Sequence, residues 1–391
     1  MFAIPQNVEL IISVLESVGH EAFIVGGCVR DIVRGAAPKD WDITTSAVPS
    51  EVKALFSRTF DTGIKHGTIT VLLQKERYEV TTYRIDGEYL DNRRPSSVTF
   101  ANKIEEDLSR RDFTINAIAF NPSKGFVDPF GGCGHIERGV IKCVGDSEIR
   151  FSEDALRMLR AIRFAAELGF SVDSDTLGAI AKLKENLSNI SAERIREELT
   201  KLLCGAYPDA LELLESTGLM YFALRERDYC GDLRSVVSQL ALCPQDEHMR
   251  LALFFSHMDC EKILLNLKFD NKTQKVVSLF VKYLAVPISH DRYEIKKLLR
   301  VFSHNEFEKL LDLKILGGEP RELIAQISEE ARDIFAKSEC FTLRCLAVNG
   351  DDLADAGIPR GKIMGDALEK LLDAVMRDPS LNCKEKLLCL L

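Results

Sequence analysis

The sequence predicts an α+β chain, a small mixed β-sheet with helices over residues 1–146, followed by a long arm that is helical to its end. Two observations predict it. Short β-branched and aromatic runs crowd the first part, FIV from Phe23 to Val25, then TITVLL and RYEVTTYR, whereas after about residue 146 almost every segment has the period of a helix. Breaks in the helical part are short and fall near Gly205, Pro208, Pro244, Pro287, Gly317 to Pro320 and Gly357 to Gly365, with no repeat of fixed period.

Composition narrows the function classes. At 391 residues the chain has room for two or three domains, and an apolar fraction of 46% without low-complexity runs excludes a disordered protein. A net charge of −9 argues against a coat of basic residues for indiscriminate nucleic-acid binding, yet leaves room for a local basic stripe. The 11 cysteines form no Cys-x-x-Cys pair, and several, such as Cys204 and Cys389, sit inside apolar helical patterns. They read as reduced, buried side chains of a cytoplasmic protein, neither a disulfide framework nor a zinc site. The N-terminus has no signal-peptide pattern, and no apolar run approaches the roughly 20 residues of a membrane span.

In chain order, residues 8–18 have helical periodicity and lead into the first strand. Phe23, Ile24 and Val25 stop at Gly26 and Gly27, as a buried strand does before a turn whose backbone must come close to something. Arg30 and Asp31 open the next helix, and amides at such a turn, with the helix dipole, seat phosphate oxygens. A second short strand carries Asp40, Trp41 and Asp42, whose alternation puts Asp40 and Asp42 on one face, where two carboxylates call for a cation. Alone, a Gly-Gly pair is most often a turn and Asp-x-Asp a cap or solvated edge. Strand, Gly-Gly, Arg and a same-face acid pair in sequence are far more specific.

Residues 49–57 follow as a helix, 60–73 as the turn GIKHGT and the strand TITVLL, and 77–84 as a further strand. Glu79 on that strand is either an exposed charge or a third acid facing the pair. Residues 84–95, polar and bounded by Pro, read as a mobile loop. The stretch RRDFTINAIAF runs from Arg110 to Phe120: Arg111 offers a fork of donors to phosphate or sugar oxygens, Asp112 accepts from a ribose hydroxyl, and Asn116 does both. DPFGG at 128–132 is a turn.

EDALRMLRAIRFAAELGF, Glu153 to Phe170, is expected as one helix with Leu156, Leu159, Ile162, Phe164 and Ala165 buried. Asp154, Arg157, Arg160 and Arg163 recur every three residues and form a slowly turning stripe. An Asp154–Arg157 ion pair on a surface helix would explain two of the four and leave two arginines in line. Adenine and cytosine both present an amino donor beside a ring-nitrogen acceptor, whereas guanine and uracil present a carbonyl beside an N–H. A carboxylate next to a guanidinium suits the first pattern and opposes the second. Asp154 with Arg157 therefore reads as a selector for ATP and CTP, each mismatch costing ~1–3 kcal/mol in unpaired polar groups.

Taken together these stretches resemble the nucleotidyltransferase superfamily that includes DNA polymerase beta, and within it the class II tRNA nucleotidyltransferases. Phe23 to Ala47 is similar to motif A, RRDFTINAIAF to motif B, DPFGG to motif C, Glu153, Asp154 and Arg157 to the EDxxR of motif D, and ERIREEL at 193–199 to motif E. The resemblance is dense over the first 200 residues and loose beyond. It implies a nucleotidyltransferase catalytic head at 1–146, a helical neck with the nucleotide-selecting helix at 147–220, and an elongated helical body and tail at 221–391 that binds tRNA. It implies template-independent addition of the 3′-terminal CCA to tRNA from CTP and ATP in the cytoplasm. Asp40 and Asp42 would be catalytic and hold Mg2+, and nucleotide binding would fall to Gly26, Gly27, Arg30, Arg111, Asp112, Asp154, Arg157, Arg160 and Arg163.

Residues 84–95 match a flexible loop that CCA-adding members keep and CC-only members lack, and motif E would support the pocket from behind. The tail stretch GDDLADAGIPRGKIMGDALEKLLDAV resembles the C-terminal part of bacterial members, with Gly357, Gly361 and Gly365 around Lys362 either a phosphate seat or a plain turn. The alternatives are an A-adding enzyme or a bacterial poly(A) polymerase, though the basic tail and Gly-Arg-Arg-Phe-like stretch expected of the latter are missing. A phosphohydrolase would draw on His248, His257 and Asp259, which lack an adjacent His-Asp pair. An inactive RNA-binding module would not need Asp40, Asp42 and the EDxxR residues.

Overall fold

The structure is a computed structural model and describes residues 4–87, 98–226 and 231–391. The loop expected at 84–95 lies outside the described residues from 88 onward. Packing divides the chain into two units, Met1–Ala241 with His257–Asn271, and Leu242–Ser256 with Lys272–Leu391.

In the first unit, helix α1 (Gln6–Ser17) buries Val8, Ile11, Ile12 and Leu15, the spacing of one helix face. Strand β1 (Ala22–Val25) is buried along its length, and the chain then passes α2 (Gly27–Val33), β2 (Asp42–Thr45), α3 (Pro49–Leu55), β3 (Thr59–Gly63), β4 (Thr68–Leu73) and β5 (Glu76–Thr82). A small ribbon of β6 (Arg84–Asp86) and β7 (Val98–Phe100) precedes α4 (Ile104–Ser109), β8 (Ala119–Asn121), β9 (Gly125–Val127) and α5 (Gly132–Arg138). The main sheet has seven strands in the order β3-β4-β5-β2-β1-β8-β9. Only β2 and β5 run parallel, in a register that sets Asp42 opposite Glu79, while β1 is antiparallel to both β2 and β8. Phe23, Val25, Tyr83, Leu108 and Ala119 pack as a core on one side of this sheet.

The helical part begins after the short parallel pair β10 (Val140–Ile141) and β11 (Ser171–Val172), which brackets α6 (Ser147–Glu153) and α7 (Leu156–Leu168). Helices α8 (Ser174–Leu183) and α9 (Ala192–Leu203) follow, and α9 packs along α7. In the second unit, Leu353, Leu371, Leu372, Val375 and Leu387 form a core, and the buried Lys296 reaches the Met376 carbonyl at 2.9 Å and Glu339 at 2.7 Å. Gly357 and Gly361 take positive φ before the helix Lys362–Arg377, as a turn between helices does. Asp259 caps the helix Cys260–Asn266 through the Lys262 amide, and the His248 ring rests on the Thr273 hydroxyl. No helix among the described residues is long and apolar enough to cross a membrane.

Three expectations change. The second strand begins at Asp42, so Asp40 and Trp41 lie in the bend before it. The chain turns at Gly26 just after β1, and residues preceding Asp42 have no neighbour to pair with on that side. The helix expected from Glu153 to Phe170 is broken: Asp154 is extended, at φ −138° and ψ 102°, and its carboxylate accepts the Leu156 amide at 3.1 Å, starting α7 afresh. Finally, the ten described cysteines are free, but only Cys28, Cys143, Cys243, Cys260 and Cys340 are buried; Cys345, Cys383 and Cys389 are exposed.

Candidate active site

The turn after β1 is tight because something sits on it. Gly26 has φ +79°, its amide donates to the Ile118 carbonyl at 3.3 Å, and a Cβ there would lie 3.1 Å from Arg111 Nη1. Beyond the turn, Asp40, Asp42 and Glu79 line one open cavity of about 870 Å³ with Lys39, Trp41 and Arg77. Asp42 opens onto this cleft but is walled by protein. That crowding pushes its carboxyl above the usual range, Arg111 opposes the shift, and Glu79 and Asp40 add to it. Glu79 is thus the third acid, placed by the β2–β5 register, which no local pattern announces.

Among the described residues no three His, Cys, Asp or Glu side chains form a ready cage for a metal ion. Mg2+ does not need one, since it is usually held by one or two carboxylates together with substrate phosphates. Hard carboxylate oxygens gathered on one open cleft, with the charged form of Asp42 disfavoured chiefly by burial, fit such a cation.

A second pocket, about 240 Å³, is lined by Arg110, Arg111, Asp112, Asp154, Arg157, Arg160 and Arg194. Asp112 is buried at its base: Oδ1 accepts from the Phe113 amide at 2.8 Å and Asn116 Nδ2 at 3.2 Å, and Oδ2 takes both Nε and Nη2 of Arg160 at 3.0 and 2.6 Å. Burial alone would raise its pKa, but the Arg160 guanidinium outweighs burial and holds it at about 2. Arg160 also reaches Glu198 on α9 at 3.4 Å, and Arg163 binds the same carboxylate at 2.5 Å and Glu167 at 2.7 Å. Arg157 donates to Glu153 at 2.7 Å and to the carbonyls of Arg150 and Arg110 at 3.1 and 3.0 Å. Asp154 pairs with Arg194 of α9 at 2.7 Å, not with Arg157.

A third chamber of about 180 Å³ joins the two, sharing Asp42 and Glu79 with the first and Arg110 and Arg111 with the second. Asp107, wholly buried, holds Arg110 at 2.7 Å and Arg111 at 3.2 Å; burial would raise its pKa, and the two arginines keep it lowered. Arg111 still has its Nε buried without a partner among the described residues.

Of the residues singled out in the sequence, Asp40 and Asp42 share the first cavity, and Arg111, Asp112, Asp154, Arg157 and Arg160 share the second. Gly26 lies under Arg111, and Gly27 approaches Arg30. Arg30 and Arg163 line none of these three pockets. Arg30 binds Asn116 at 2.9 Å and Asp31 at 3.0 Å, and both guanidinium groups lie over the Phe164 ring, 5.4 and 3.9 Å from its centre. Sequence reasoning missed Asp107, and it saw Arg194 and Glu198 only as part of motif E, without their partners. The signal available for the last two was an opposite-charge pair four residues apart on one helix, which pattern alone reads as solvated surface.

The chain matches the models described as "Poly A polymerase head domain" over residues 22–142, "Probable RNA and SrmB- binding site of polymerase A" over 169–230 and "tRNA nucleotidyltransferase domain 2 putative" over 245–391. It is 40% identical over 383 residues to the CCA-adding enzyme of Geobacillus kaustophilus, covering 96% of this chain and 94% of that one. The chain belongs to the CCA-adding enzyme family. The CCA-adding enzyme of Leuconostoc mesenteroides is 37% identical over 385 residues, 95% of this chain and 92% of its own. Among solved structures, the Bacillus stearothermophilus CCA-adding enzyme in complex with CTP superposes with a TM-score of 0.86 at 34% identity, covering 98% of this chain and 96% of that one. The Thermotoga maritima CCA-adding enzyme complexed with tRNA shares the fold, with a TM-score of 0.67 at 21% identity over 98% and 95% of the two chains.

Proposed function

We propose that this chain completes the 3′ end of tRNA by adding CCA from CTP and ATP without a template, in the cytoplasm, with Mg2+ at Asp40 and Asp42. The observation that carries the reading is the line of three chambers, in which a crowded acid cleft meets a carboxylate–guanidinium pocket across the wall of Arg110 and Arg111. The 3′-hydroxyl of tRNA attacks the α-phosphorus of the incoming nucleotide and pyrophosphate leaves. Bound Mg2+ supplies the Lewis acidity that eases loss of the hydroxyl proton and departure of pyrophosphate.

The chain's own residues position and select. Asp40 and Asp42 hold the cation, with Glu79 adding charge beside them. The Gly26-Gly27 turn lets the triphosphate approach the backbone, and Arg111 directs its unpartnered Nε and remaining fork at phosphate or sugar oxygens. Arg160 fixes Asp112 for the ribose, while Arg30 and Arg163 brace the site through Asn116, Phe164 and Glu198. Asp154 accepts the amino hydrogen of cytosine or adenine, and Arg157 donates to the neighbouring ring nitrogen. Because the work is positioning and charge stabilisation, no covalent intermediate is formed. We further propose the head at 1–146, neck at 147–220 and tRNA-binding body and tail at 221–391 as its working parts.

The test is incubation of the protein with Mg2+ and a tRNA lacking its 3′ end, with nucleoside triphosphates given singly and together and the products sized. CTP alone should stop at CC, and CTP with ATP should stop at CCA. Extension that runs on with ATP alone would make it a poly(A) polymerase, and refusal of CTP with acceptance of ATP on tRNA ending in CC would make it an A-adding enzyme.

A further inference from the structure

Asp154 occupies a break in the helical backbone, between α6 and α7, so its side chain is not aimed by a regular helix. A carboxylate on extended backbone samples several rotamers, and only one plane presents a lone pair to a base edge in the pocket. What fixes that plane comes from another helix. Arg194 of α9 places Nη2 at 2.7 Å from Asp154 Oδ2 and Nη1 at 3.3 Å from Oδ1, while Oδ1 also accepts the Leu156 amide at 3.1 Å. One turn further along α9, Glu198 takes Arg160 and Arg163. A single helix therefore holds both the acid of the pocket and two arginines of its stripe.

A guanidinium fork binds a carboxylate in its own plane, which a point charge on a flexible stem does not. It also leaves the carboxylate as an acceptor with no proton to donate, so that a carbonyl brought to the same place meets lone pairs with lone pairs. We infer that Arg194 is a positioning residue for nucleotide choice: its fork on Asp154 sets the plane in which that carboxylate accepts the exocyclic amino group of cytosine or adenine and turns away the carbonyl of uracil or guanine. The inference rests on the reading of Asp154 and Arg157 as the base reader.

The experiment compares the wild-type full chain with R194Q, R194K, D154A and the double variant D154A/R194Q. Initial rates are measured with a tRNA lacking its 3′ CCA, Mg2+, and CTP or UTP over a range of concentrations. For R194Q the ratio of kcat/KM for CTP over UTP should fall about tenfold or more, with the KM for CTP raised and the KM for tRNA unmoved. R194K, which keeps the charge and loses the fork, should fall between. The double variant should select no worse than D154A, as expected when one residue acts through the other.

Because the ratio compares two substrates on the same enzyme, a fraction of unfolded protein lowers both rates together and leaves it unchanged. R194Q that keeps the wild-type ratio while D154A loses it would overturn the role of Arg194 and leave the base reader standing. If R194Q does not fold, wild-type selectivity in R194K overturns the role in the same way. Wild-type selectivity in D154A would remove the base reader itself, and the inference with it.

Discussion

The cleft around Asp42 and the pocket around Asp112 each contain a carboxylate, and their surroundings push the two in opposite directions. Burial raises the pKa of Asp42, Arg111 opposes the shift, and Glu79 and Asp40 add to it. Asp112 is buried more deeply, yet the fork of Arg160 holds it at about 2. The difference separates two uses of charge. A carboxylate whose charged form is disfavoured at an open cleft gains from a cation, whereas acids and arginines mated in a pocket hold one another in one arrangement.

Substitutions at four positions test that contrast, in order of expected effect. Replacing Asp40 or Asp42 by Ala should lower nucleotide incorporation by about 10³-fold or more, the rate equivalent of several kcal/mol of metal-borne charge stabilisation, with an unchanged circular dichroism spectrum. Retained turnover would end the assignment of the cleft as the metal side. Next, Asp112→Asn leaves the Arg160 fork without its anion and should cost about 2–3 kcal/mol in urea unfolding. The pH dependence has a definite sign. The folded pKa of Asp112 lies below its ordinary 3.8, so its contribution is complete above about pH 4 and fades as pH falls toward about 2. The variant should lack this acid limb.

Gly26→Ala should follow, at about 1–2 kcal/mol, because φ +79° disfavours a side chain and the added Cβ crowds Arg111. The KM for CTP should rise with it. Smallest and opposite in sign is Asp42→Asn, which removes a charge that burial and the neighbouring acids disfavour and should stabilise the ligand-free protein by about 1 kcal/mol or less while abolishing activity. A fall in thermal midpoint for this variant would mean that the cleft is not under-compensated.

Much of this site is written locally in the sequence. β1, the Gly-Gly turn and the apolar face of α7 carry their periodicity in adjacent residues, and Asp40, Asp42 and the EDxxR run are close enough in sequence to be seen as groups. What stayed open or escaped is what only pairing between distant segments decides. Glu79 becomes a cleft acid through the parallel register with β2, and β3, an exposed edge strand of mixed polarity, has no alternation to announce it. The break at Asp154 is hidden because Glu153, Asp154 and Ala155 include no Gly or Pro; the Leu156 amide and Arg194 hold the carboxylate there. The arginine stripe was legible, but its partners Asp112 and Glu198 lie on other segments, so the bonds of Arg163 to Glu198 and Glu167 could not be read from the stripe alone.

Asp107 gives the neighbouring chambers a common fate. One wholly enclosed side chain tethers Arg110 through one oxygen and Arg111 through the other, and those two arginines line both the third chamber and the Asp112 pocket. On the roles proposed for these chambers, loss of that tether should slacken turnover and letter choice in the same stroke, so damage at this position should not look like a defect in only one of them.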